Sequence, residues 1–228
     1  MQSADLDTLL KDARRRMGGV SLEGGFIGDL QGALMPGEAA FVANAVEKRR
    51  REFIAGRTAA RTALRGAGGA DSPILSGETR EPLWPAGFVG SITHSDAVAF
   101  AVCVRSDAGL FVGIDVELHA RLRRDLWRMV FGEAERAAFM ASPEPDFHAA
   151  AAFSAKEAFE KAQFAASGRV MEFAAMRVDV GADGRLSITH AAGAGFESVA
   201  SEAAGFWLRA DDHVFTFVAL KAKNFIRR

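Results

Sequence analysis

The sequence predicts an α+β fold made of two similar halves. Three observations carry this. Strand, helices and strands follow one another in that order twice along the 228 residues. Each half closes on a hairpin-like pair of apolar runs, Phe88–Thr93 with Ala97–Val104 and Phe206–Ala210 with Val214–Leu220. A short polar turn joins each pair, His94-Ser95-Asp96 in the first and Asp211-Asp212-His213 in the second. The halves meet near Asp107–Gly109, giving residues 1–108 and 109–228, and a pseudo-symmetric pair of this kind is expected to hold its active site in the cleft between them.

Taken in order, residues 5–17 read as a short polar helix and Gly24–Leu30 as a strand. Pro36-Gly37-Glu38 opens a helical stretch that runs to Leu64, in one or two pieces, and the Gly66–Asp71 cluster ends it. Pro73–Pro85 is rich in turn residues. Strands follow at Val89–Thr93, Ala97–Val104 and Leu110–Val116. Helical patterns return at Leu122–Met140 and Phe147–Ala166, and strands at Met171–Val180, Leu186–His190, Gly205–Ala210 and Val214–Leu220.

Hydrophobic residues make up 49% of the chain, enough for a substantial core. Twenty-eight basic residues balance 29 acidic ones, so bulk electrostatics does not suit a protein that coats nucleic acid. The single cysteine, Cys103, lies in an apolar run and reads as a buried thiol; a reducing cytoplasmic setting is the simpler expectation. No apolar run approaches the ~20 residues of a membrane helix, and the amino terminus lacks the pattern of a secretory signal.

Four segments could carry chemistry. In Gly113-Ile114-Asp115-Val116-Glu117 two carboxylates lie two residues apart at the end of an apolar strand. They project to one face, which is costly unless a cation neutralises them. In Phe153-Ser154-Ala155-Lys156-Glu157-Ala158-Phe159-Glu160-Lys161, residues Phe153, Glu157 and Lys161 share one helical stripe. Gly90-Ser91-Ile92-Thr93-His94-Ser95 surrounds a histidine with hydroxyls suited to phosphate oxygens. The basic helix around Arg50, Phe53 and Arg57 offers planar guanidinium forks. Each has an ordinary reading too: solvated acids at a strand end, a surface Glu–Lys pair, a turn histidine, a solvated basic face.

Their joint order is more specific. Arg50-x2-Phe53-x2-Gly56-Arg57, then Trp84-Pro85-x-Gly87-x2-Gly90-Ser91-Ile92-Thr93-His94-Ser95, then Gly113-Ile114-Asp115-Val116-Glu117, then Phe153-Ser154-Ala155-Lys156-Glu157-x3-Lys161 resembles the Sfp-type 4′-phosphopantetheinyl transferases, most of all their enterobactin synthetase component D group. By motif the resemblance runs from Arg50 to Lys161.

The resemblance implies a monomeric enzyme that moves the phosphopantetheine arm of coenzyme A onto a serine of an apo acyl or peptidyl carrier protein. It implies Mg²⁺ at Asp115, Glu117 and Glu157, and catalytic roles for Glu157 and Lys161. Ser91, Thr93, His94, Lys156 and Lys161 match phosphate-contacting positions, and Arg50 and Arg57 match positions near the adenosine and its 3′-phosphate. Arg121, Arg123, Arg124, Trp127 and Arg128 form a basic segment that could dock an acidic carrier or be an ordinary helix face. Neither nucleic acid nor membrane is implied as a partner. Two other readings stay open: a Mg²⁺-dependent pyrophosphatase or nucleotide hydrolase, and a non-catalytic coenzyme A or carrier binder.

Overall fold

Leu6, Leu9, Leu10, Ala13 and Met17 recur at helical spacing and are buried along one side of α1 (Ser3–Met17). Gly18 and Gly19, both at positive φ, end that helix. In a computed structural model of the chain, residues 1–190 and 203–221 are described. The chain divides into two units, Gln2–Ala108 and Gly109–Arg228.

In the first unit α1 is followed by β1 (Ser21–Phe26), α2 (Glu47–Gly66), a two-residue ribbon of β2 (Leu75–Ser76) with β3 (Pro82–Leu83), and the hairpin β4 (Phe88–His94) and β5 (Val98–Arg105). The sheet order is β1-β5-β4, antiparallel throughout, with Leu22 opposite Val102. β1 starts and stops earlier than Gly24–Leu30. The Phe100 ring lies against Gly24 where a Cβ would sit 2.2 Å from it, and the N–H groups of Asp29 and Leu30 turn back onto Phe26 O. The expected helix from Pro36 splits into a 3₁₀ turn at Ala39–Val42 and α2 proper. Ala59, Ala60, Ala63 and Leu64 of α2 pack on Ala101 and Cys103 of β5. The Cys103 thiol is fully buried and its pKa is pushed up to about 12 by desolvation, which makes it a packing group and not a nucleophile.

The second unit begins with β6 (Leu110–Leu118) and continues through α3 (Trp127–Val130), α4 (Glu133–Met140), α5 (Pro145–Ser167), β7 (Met176–Val180), β8 (Arg185–His190), β9 (Ala204–Ala210) and β10 (His213–Lys221). The five strands form an antiparallel sheet of order β6-β10-β9-β8-β7, with α5 across β6 and β10. Trp127, Phe131, Phe139, Phe159 and Met176 build the core beneath it. The helix expected over Leu122–Met140 is broken at Gly132, whose N–H donates to the Glu135 carboxylate. Trp127 is buried edge-on against Phe139, so it is a packing residue and takes neither role left open for its segment, carrier docking or a solvated helix face. The strand expected from Met171 starts only at Met176, after a 3₁₀ turn at Phe173–Ala175. Among the described residues no helix is long and apolar enough to cross a membrane.

Candidate active site

The acidic motif lies on β6. Ile114 and Val116 are buried on one face of the strand at 0% and 1% exposure, and Gly113, Asp115 and Glu117 share the other. That face meets α5 closely. A Cβ on Gly113 would sit 1.8 Å from Ala158 O, so only glycine lets the helix backbone pass this near the strand. The motif serine fixes the helix from the other side. Thr216, opposite Asp115 on β10, donates its hydroxyl proton to Ser154 O at 2.9 Å, and the Ser154 hydroxyl then donates to Thr216 Oγ1, also at 2.9 Å.

This packing brings residues from two distant motifs together. Lys161 Nζ donates to Asp115 Oδ1 at 2.7 Å and to Ile114 O at 3.1 Å. Burial pushes the Glu117 carboxyl up to about 8, helped by negative charge on Asp115 and Glu157 and opposed by Lys161. The Glu157 carboxyl is raised by burial and by Asp115, against the lowering pull of Lys161. Burial alone would lower Lys161; its three acidic neighbours, Asp115 first, outweigh that and raise it. Three carboxylates thus face one ammonium in a partly desolvated patch, a surplus of negative charge.

An all-oxygen donor set with surplus negative charge fits a hard divalent ion. Among the described residues no three His, Cys, Asp or Glu side chains are grouped so as to hold a metal by themselves. Mg²⁺ typically takes one or two carboxylates and completes its shell with water and substrate phosphate, so the fit does not need a three-residue cage.

Lys156, expected at a phosphate, is placed elsewhere. It is fully buried, and its three N–H donors go to Val130 O (3.0 Å), the Glu135 carboxylate (3.0 Å) and Phe173 O (2.9 Å). No donor remains for a ligand. Glu135 also accepts from the N–H groups of Gly132 and Val178, so the Lys156–Glu135 pair ties α4, α5 and β7 together.

In the first unit His94 ends β4, half-buried beside α2. Arg49 Nη1 lies 2.9 Å from His94 Nε2. A guanidinium only donates, so Nε2 is the acceptor in this contact, and Nδ1 is the ring nitrogen left for another partner. Glu52 stands 3.9 Å from that Nδ1. Arg49 is the residue the sequence reading missed. It shares a stripe with Phe53 and Arg57 at four-residue spacing; both Arg49 and Arg50 are exposed. Ser91 and Thr93 are buried within β4.

Arg57 is largely buried, with its guanidinium 4.3 Å over the Phe53 ring and Nη2 donating to Ser76 Oγ at 2.7 Å. Burial lowers its pKa to about 10, so it stays cationic at neutral pH. Its Nε has no hydrogen-bond partner among the described residues.

The two motif-bearing units correspond to two known sequence domains. Residues 37–104 match the 4′-phosphopantetheinyl transferase N-terminal domain, and residues 111–218 match the 4′-phosphopantetheinyl transferase superfamily. The chain is 41% identical over 140 residues to the 4′-phosphopantetheinyl transferase PptT of Mycobacterium tuberculosis, covering 61% of this chain and 62% of that protein. It is 39% identical over 143 residues to the 4′-phosphopantetheinyl transferase Svp of Streptomyces mobaraensis, covering 61% and 58%. With enterobactin synthase component D of Salmonella typhi the identity is 38% over 122 residues, covering 52% and 50%. The matched stretch thus spans about three fifths of the length of the first two relatives and half that of the third. Both domain matches fall on the same family, together they take in well over half of the chain, and the carboxylate and lysine motifs converge inside the second: the chain belongs to the 4′-phosphopantetheinyl transferase superfamily.

Proposed function

We propose that this protein transfers the 4′-phosphopantetheine group of coenzyme A to a serine hydroxyl of an apo acyl or peptidyl carrier protein, releasing 3′,5′-ADP. The convergence of Asp115, Glu117, Glu157 and Lys161 supports this reading most directly, because a patch with surplus carboxylate charge and one ammonium suits a metal-bound pyrophosphate. Asp115 and Glu117 are the residues that would hold Mg²⁺, with Glu157 beside them. When bound, the ion offsets charge on the pyrophosphate and on the departing ADP phosphate.

The chain's own groups take the remaining roles. The carrier serine oxygen bonds to the β-phosphorus while the bond from that phosphorus to the ADP phosphate oxygen breaks. Glu157 takes the serine proton; its raised pKa makes it a better base than an exposed carboxylate. Lys161 holds Asp115 in place and adds positive charge beside the phosphates. The N-terminal unit is assigned the nucleotide end of the substrate, His94 toward the phosphates and Arg57 toward the adenosine 3′-phosphate. A reducing, cytoplasmic setting and a monomer accord with this reading.

Incubation with coenzyme A, Mg²⁺ and an apo carrier tests it. Transfer adds one phosphopantetheinyl group to the carrier serine by mass spectrometry and releases 3′,5′-ADP. Consumption of coenzyme A without acceptor would indicate a hydrolase. Binding without turnover would indicate a relic, and either result overturns the assignment.

A further inference from the structure

Glu38 is fully buried, an unusual place for a carboxylate. Its Oε2 accepts from Arg61 Nη1 at 2.7 Å and from the Met35 N–H at 2.8 Å. Its Oε1 accepts from the Ile74 N–H at 2.9 Å. Arg61 is buried too, and its Nη2 donates to Ala33 O at 2.8 Å. One ion pair therefore ties three pieces of backbone, at residues 33–35, at residue 74 and on α2.

The tie ends next to Arg57. The residues that follow Ile74 are Leu75 and Ser76, and these hold the Arg57 guanidinium: Nη2 donates to Ser76 Oγ at 2.7 Å and lies 3.4 Å from Leu75 O. β2 consists of these two residues alone and, among the described residues, pairs only with Leu83 and Pro82, so the ribbon has little hydrogen-bonded support of its own. The loop ahead of Glu38 packs on the same place. Gly37, at φ +89°, leaves room for Leu75, where a Cβ would stand 3.0 Å from Leu75 Cδ2. Gly32 lies where a Cβ would meet Thr58 Oγ1 at 2.5 Å.

We propose that Glu38, through its pair with Arg61, is a positioning residue for Arg57 and so sets the preference of this unit for a nucleotide that carries a 3′-phosphate. The carboxylate pins the backbone at Ile74. Ser76 is thereby fixed, Ser76 fixes one end of the guanidinium, and Phe53 supports its flat face. A guanidinium held at one end and stacked on a ring keeps its remaining donors in one orientation, the condition for a forked contact with a phosphate. The proposal rests on the assignment of Arg57 to the 3′-phosphate given above.

The test measures dissociation constants of coenzyme A and dephospho-coenzyme A by calorimetry on the full chain, in the same Mg²⁺ buffer, with thermal denaturation alongside. Arg57→Ala is expected to narrow the ratio of the two constants about ten- to a hundredfold, the size of one charge-assisted contact. Glu38→Gln and Ser76→Ala are each expected to narrow it by about three- to tenfold, a part of that contact, and to add nothing in the Arg57→Ala background. Should Glu38→Gln fail to fold, Arg61→Lys loosens the same tie while keeping a charge beside Glu38, and a narrowed ratio is again expected. A fall in melting temperature with an unchanged ratio in these variants, while Arg57→Ala does narrow it, makes Glu38 a purely structural residue and overturns the inference. An unchanged ratio in Arg57→Ala removes the 3′-phosphate assignment itself, and the inference falls with it.

Discussion

Lys161 Nζ sits 2.7 Å from Asp115 Oδ1, joining α5 to β6 across 46 positions of sequence. The contact neutralises only one of three clustered carboxylates, so the patch retains net negative charge that Glu117 relieves by holding its proton up to about 8. A divalent cation is expected to stabilise the folded chain. At a hundredfold excess over its dissociation constant, Mg²⁺ adds about 2.7 kcal/mol. The melting temperature should therefore rise with Mg²⁺, and Asp115→Asn with Glu117→Gln should abolish the rise. An equal rise in that double variant would remove these carboxylates from the metal site.

Glu157→Gln keeps the shape of the side chain and removes its basicity. The turnover rate should fall by about 10²–10⁴, the usual contribution of a positioned base. Coenzyme A affinity, read by calorimetry in the absence of carrier, should change far less. A loss of affinity as large as the loss of rate would make Glu157 a binding group and not the proton acceptor.

Two periods made each half of this cluster legible in the sequence, and the resemblance to 4′-phosphopantetheinyl transferases implied that the halves meet. Alternation puts Asp115 and Glu117 on one strand face, and four-residue spacing puts Glu157 and Lys161 on one helix stripe. Gly113 and Ser154 were visible as motif letters, but their work depends on what each meets, Ala158 O in one case and Thr216 in the other. Spacing carries no such information. Glu38 was hidden for a related reason: a lone acid after Pro36-Gly37 looks like a helix start until Arg61, 23 residues away, is seen to close on it. Strand β1 was misplaced because paired glycines, Gly24 and Gly25, read as a strand opening when they lie inside the strand.

Glu160 gives the folded protein a pH dependence of its own. Its Oε1 accepts from the Met171 N–H at 3.1 Å, while its Oε2 is buried without a hydrogen-bond partner among the described residues. Burial pushes the carboxyl up to about 7 from an ordinary 4.5. A raised carboxyl favours the protonated folded state, so its contribution is fully present below pH 4.5 and is lost as pH rises through about 7. Glu160→Gln is neutral throughout and should gain on the wild type as pH rises. Discounted for partial exposure, the gain at pH 8 is about 1–2 kcal/mol. Denaturant midpoints at pH 5 and pH 8 check this; an unchanged difference between variant and wild type at the two pH values rules it out.

Lys156 and Lys161 stand five residues apart in one motif and end in different surroundings, which separates their expected phenotypes. Lys161 retains some exposure beside the acidic cluster, whereas Lys156 is enclosed and all its donors are used. Removing one partner of a buried pair leaves the other charged and unpaired, at a cost of about 3–5 kcal/mol. Lys156→Met should therefore lower the melting temperature sharply, and Glu135→Gln in the same chain should restore part of the loss by removing the stranded charge. Restoration will be incomplete, because Val130 O and Phe173 O also lose a donor. A lysine reserved for a substrate phosphate behaves in the opposite way. Its loss would leave the melting temperature intact and weaken only coenzyme A binding, and that pattern in Lys156→Met would show that α4 and the Phe173 turn do not hold the ammonium in solution.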